Sequence, residues 1–107
     1  MTTNTTGGRR GKKLITGVAW YRPEQWSRLV EISADANGLD DCYEDWLRNA
    51  TARFEELAAA GFTLKRVDVD VERLLAWCVL HGQPVDARSR SAYAAKLLED
   101  EYKARSR

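Results

Sequence analysis

Between Lys65 and Gly82 the apolar residues change their spacing partway along. Val67, Val69 and Val71 alternate with polar residues, which is the period of a half-buried strand. Val71, Leu74, Leu75, Cys78 and Val79 then follow the stripe of a helix. The change falls at Asp70, whose carboxylate can accept the free N–H groups of a first helical turn, and Gly82 can take the left-handed conformation that stops one. The segment predicts a strand, a cap at Asp70, a helix to about His81, and a stop.

The same reading covers the rest of the chain. Leu14 to Tyr21 is β-branched and aromatic, with Val18 and Trp20 toward one side and Ala19 and Tyr21 toward the other, and predicts a short strand. Pro23 suits a first helical turn, after which Trp26, Leu29, Val30 and Ser33 share a face that ends before Asn37-Gly38. A second helix opens at Leu39 or Asp40 and sets Asp41, Glu44 and Asp45 at the positive end of its dipole. Its stripe runs Tyr43, Trp46, Leu47, Ala50, Phe54, Leu57 and Ala58 to a stop at Gly61, and it is expected to be the longest helix.

Phe62 to Val69 is the second strand, and its pattern changes phase between Leu64 and Val67, as a bulge or a late start would produce. Gly82-Gln83-Pro84 breaks the chain, and Asp86 caps a fourth helix whose inner face carries Tyr93, Ala94, Leu97 and Leu98. Lys103 to Arg107 is expected to fray. The fold class is therefore α+β, predominantly helical, with about four helices and a short two-stranded β element whose strand direction is open.

A chain of 107 residues with 44% hydrophobic content suits one globular domain, taken as residues 14–107. Residues 1–13 are rich in Thr, Gly and basic side chains and read as a disordered basic tail. Seventeen basic and sixteen acidic residues nearly cancel, so no global field steers the molecule toward nucleic acid. The balance is uneven: Arg9, Arg10, Lys12 and Lys13 give the tail +4, and with a net charge of +1 the remainder carries −3. Cys42 and Cys78 have no C-x-x-C spacing, which argues against a zinc ribbon or a disulfide framework and fits small buried thiols in a reducing compartment. Neither an apolar run of about 18 residues nor a secretory leader is present, so a cytoplasmic protein without a membrane partner is expected.

Chemistry is sparse. Four tryptophans, with neighbouring Tyr and Arg, concentrate the residue types that dominate binding hot spots. The candidate partner-binding set is Trp20, Tyr21, Arg22, Trp26, Tyr43 and Trp46, although small domains also fill their cores with such rings. Trp77 is read as structural, packing on the tail of the fourth helix. The candidate nucleic-acid set is Arg9, Arg10, Lys12 and Lys13; the surrounding glycines do not have phosphate-loop spacing, so these cations could only contact phosphates nonspecifically.

Asp68 and Asp70 form a D-x-D pair that could hold a divalent ion, but Asp70 is needed as a cap and no third carboxylate lies nearby. Cys78 and His81, with Cys42 as a distant third, have ligand chemistry, yet a histidine at a helix end is explained by the free carbonyls there. Arg88 and Arg90 lie near the start of the fourth helix, where Arg90 is expected to pair at the surface with an acid on a neighbouring helix. With one histidine and no G-x-S-x-G motif, no catalytic residue, metal ligand or cofactor is assigned.

The strings Trp20-Tyr21-Arg22-Pro23-Glu24-Gln25-Trp26, Tyr43-Glu44-Asp45-Trp46-Leu47, Val67 to Cys78 and Gly82-Gln83-Pro84-Val85-Asp86 resemble small uncharacterised bacterial proteins of unknown function. The resemblance spans residues 18 to 98 and implies no activity or ligand. The functional expectation is a small non-enzymatic module that binds another protein, or itself, through its aromatic and Arg-bearing surface. The alternative is a nucleic-acid-associated protein acting through the tail.

Overall fold

The computed structural model of the chain describes residues 14–105, so the basic segment 1–13 and its four candidate cations lie outside the described residues. Two strands, β1 (Ile15–Trp20) and β2 (Thr63–Asp68), lie side by side in parallel, from Ile15 opposite Thr63 to Trp20 opposite Asp68. Parallel strands cannot be joined by a tight turn. Between them the chain runs through a 3₁₀ turn at Pro23–Gln25, α1 (Trp26–Ile32), a second 3₁₀ turn at Ala36–Gly38, and α2 (Tyr43–Ala59). After β2 come α3 (Val71–Leu80) and α4 (Ala87–Arg105). The described residues form a predominantly helical α+β fold with four α-helices and a two-stranded sheet. No helix among them is long and apolar enough to cross a membrane.

Both faces of the sheet are covered. On one, Val67 joins Ala94 and Leu98 of α4, with Ile15 and Ala19 packed against them. On the other, Phe54 of α2 lies edge-on to Trp20 and under Arg66. This two-sided cover explains the phase change between Leu64 and Val67. The β2 register is continuous with no bulge, and the two apolar residues serve opposite faces. Gly17 is required where α4 crosses β1: a Cβ there would lie 3.1 Å from the Ala94 carbonyl oxygen and 3.1 Å from Val67 Cγ2.

The main core lies beyond the ends of the strands, where Tyr21, Trp26 and Leu29 meet Val69, Val71, Leu74, Cys78, Val85 and Tyr93. Leu29 and Leu74 are wholly inaccessible, and each such burial contributes about 2 kcal/mol. α3 begins where the sequence places it, with Asp70 Oδ1 accepting from the Arg73 N–H at 3.1 Å, and Gly82 follows it at φ 63°. Trp77 packs on Tyr93 in the first half of α4, at 5.3 Å between ring centroids, rather than on that helix's tail. At the start of α4, Asp86 Oδ1 accepts from the Ser89 N–H while Ser89 Oγ accepts from the Asp86 N–H, a reciprocal box that seals both ends of the first turn.

Two helix boundaries differ from expectation. α2 starts at Tyr43, after Cys42, because the carboxylate of Asp40 accepts from Asn49 Nδ2 at 3.1 Å instead of capping a helix. α4, with 19 residues, is longer than α2, with 17. Its helical geometry extends through Lys103 to Arg105, carrying the i,i+4 pairs Lys96–Asp100, Lys103–Glu99 and Arg105–Glu101.

Candidate interaction surface

The aromatic residues of the first half do come together, because the C-terminal end of β1 delivers Trp20 and Tyr21 to a site faced by α1 and by the Tyr43, Trp46, Phe54 stripe of α2. Trp46 is the hub. Its ring lies 5.1 Å from Trp20, 5.4 Å from Tyr21, 5.5 Å from Trp26 and 5.4 Å from Tyr43. Such tilted and edge-on pairs each add about 0.5–1.5 kcal/mol beyond the area they bury. The Tyr43 hydroxyl donates to the Tyr21 carbonyl at 2.9 Å, tying α2 to the chain leaving β1.

The six expected contact residues divide. Tyr21 and Trp26, each 5% exposed, are core residues and have no face to offer a partner. Burial pushes the Tyr21 hydroxyl up to about 12. Trp20, Tyr43 and Trp46 are half-buried, and Arg22 is exposed beside Glu24 at 3.3 Å. The open part of the cluster is completed by Arg66, whose guanidinium carbon lies 4.4 Å over the Trp20 ring and 4.9 Å over the Phe54 ring. An exposed cation held this way gains about 0.5–1 kcal/mol per ring and presents its N–H donors in a fixed plane.

Arg90 is not an ordinary surface residue. Its side chain is 11% exposed and donates two hydrogen bonds to the Asp35 carboxylate, at 2.8 and 2.7 Å, and one to Ser33 Oγ at 3.2 Å. Asp35 lies in the turn after α1 rather than on a helix, and it also accepts from the Ala87 N–H at the start of α4, at 3.2 Å. Hydrogen bonding from Arg90 holds the Asp35 carboxyl below the usual carboxylate range. Burial works against the Arg90 charge, but the bonds and charge of Asp35 outweigh it and raise its pKa. The pair locks α1 to α4, and Arg88 is left on the exposed side of the first turn.

The remaining candidates do not converge. Asp70 is occupied as a cap, Asp68 is exposed at the last paired position of β2, opposite Trp20, and among the described residues no three His, Cys, Asp or Glu side chains could hold a metal ion. His81 lies against Trp77 at 4.7 Å, with Nδ1 2.8 Å from the Trp77 carbonyl. Cys42 is half-buried and Cys78 buried, and both are free thiols.

No family model, curated protein or solved structure matches the chain.

Nothing local in the sequence marks Arg66 as a member of this face. Its place beside Trp20 follows only from the parallel register, which sets Val18 opposite Arg66 and Trp20 opposite Asp68. Phe54 was visible on the α2 stripe, but its partnership with a strand residue was not.

Proposed function

We propose that the chain is a small non-enzymatic interaction module that engages another protein through the half-open face formed by Trp20, Trp46, Phe54 and Arg66. The observation that carries this reading is the exposed Arg66 guanidinium laid across two aromatic rings. It is a ready-made pair of hot-spot residue types, stiff enough to lose little entropy on binding. Arg66 has no acidic partner at hydrogen-bond distance among the described residues, so its donors are available to a carboxylate or carbonyl of a partner.

The test is affinity capture with the full chain, after nuclease treatment, alongside the Arg66→Glu variant. A specific protein retained by the wild type and lost by the variant supports the reading. Equal retention by both removes this face from the interaction, and capture that disappears on nuclease treatment favours the tail from Arg9 to Lys13.

A further inference from the structure

We infer that the outer edge of β1 is a second binding site, which takes an extended segment of another polypeptide as an added strand in the groove between β1 and α4. The site is distinct from the aromatic face and does not depend on it. Among the described residues β1 pairs with β2 alone. Trp20 turns its carbonyl toward β2, accepting from the Val69 N–H at 3.0 Å. Strand alternation then turns the N–H and C=O groups of Ala19, Gly17 and Ile15 to the outer edge.

That edge borders a groove of about 770 Å³, lined by Leu14, Ile15 and Gly17 on the strand side and by Ala95, Leu98, Glu99 and Lys103 on the helix side. Leu14 is 93% exposed. The flank of α4 from Ser91 to Lys103 is about 18 Å long, the length of about five strand residues. An extended backbone is the ligand whose donors and acceptors repeat at the spacing of the groups on Ile15 and Gly17 that have no backbone partner among the described residues.

The groove also specifies side chains. Every second residue of an added strand would face α4, so the position opposite Ala95 and Leu98, which share about one strand repeat of the helix, calls for an aliphatic residue. Glu99 and Lys103 pair only loosely with each other, at 3.9 Å, and are 67% and 72% exposed. One helical turn separates them by about 6 Å, close to the ~6.7 Å between alternate residues of a strand. The occupant is therefore an extended segment with an aliphatic residue followed, at alternate positions, by a basic and an acidic residue. A second copy of this chain does not fit. Antiparallel pairing of two β1 edges at ~4.8 Å would force two α4 helices, each crowded onto Gly17, inside the ~8–10 Å that helices need.

The experiment is fluorescence anisotropy of a labelled nine-residue peptide, TVTVTKTET, titrated with the full chain. Saturable binding is expected, weakened about tenfold or more when alternate peptide nitrogens on the pairing edge are methylated, and by Ala95→Arg, which fills the groove from an exposed position. The double reversal E99K/K103E should lose affinity for this peptide and gain it for the swapped peptide TVTVTETKT. It reports independently if Ala95→Arg disturbs the fold. Absence of binding, or binding indifferent to N-methylation and to both variants, overturns the proposal. So does a concentration-dependent dimer abolished by Ala95→Arg, which would make a second copy the occupant.

Discussion

Arg90 and Asp35 show how far a single pair can be read from sequence. That Arg90 would find an acid was legible from its position after a helix cap; that the acid would be Asp35, 55 positions away, was not, because nothing local links them. Asp70 and Gly82 were legible for the opposite reason: a cap and a stop act on neighbouring backbone groups. The pair predicts a pH response. Asp35 is held below the usual carboxylate range, so the stability it contributes is fully present above about pH 4 and is lost as pH falls through the lower folded-state value. Asp35→Asn leaves Arg90 without its counter-charge. Because Asp35 is partly exposed, the expected loss at neutral pH is about 2 kcal/mol, below that of a fully buried pair. Thermal melts from pH 7 to 2 should show a lower midpoint for the variant and a shallower acid decline than in the wild type. Parallel curves would place the acid sensitivity elsewhere.

At the scale of elements, the periods of the apolar residues located four helices and two strands, because each element owes most of its burial to one stripe or one face. Where an element departs from its local pattern, tertiary structure is the reason. A sheet covered on both sides has no single apolar phase, which made Leu64 and Val67 look like a bulge. Asp40 resembled a cap until Asn49 took its carboxylate. The elements also differ in how firmly they are held. α3 and α4 each contain fully buried residues, whereas α2 has none along its 17 residues and rests on a half-buried aromatic stripe. Amide hydrogen exchange of α2 is therefore expected to precede that of α3 and α4; simultaneous protection of all three would show that the aromatic stripe anchors α2 as firmly as a closed core. Where α4 crosses β1, Gly17→Val would push the helix off the strand. It should lower stability by about 2 kcal/mol in denaturant melts, and an unchanged midpoint would mean that α4 can shift without loss.

For the molecule as a whole, the central claim is that one aromatic cluster serves two purposes. Trp26 and Tyr21 belong to the core, while Trp46 and Trp20 continue the same cluster outward, where Trp20 meets Arg66. The sequence placed these residues within reach of one another but could not sort them, since core and surface rings share the same composition. The four indole N–H groups report the division directly. Those of Trp26 and Trp77 are buried without an acceptor among the described residues, whereas Trp20 and Trp46 sit in half-open positions. The decisive measurement is the NMR signal loss of the four indole N–H groups on adding an inert, soluble paramagnetic agent. Broadening of Trp20 and Trp46 with Trp26 and Trp77 untouched is the predicted result. Equal protection of all four would mean that the cluster is closed, and that the Arg66 face cannot be an interaction surface.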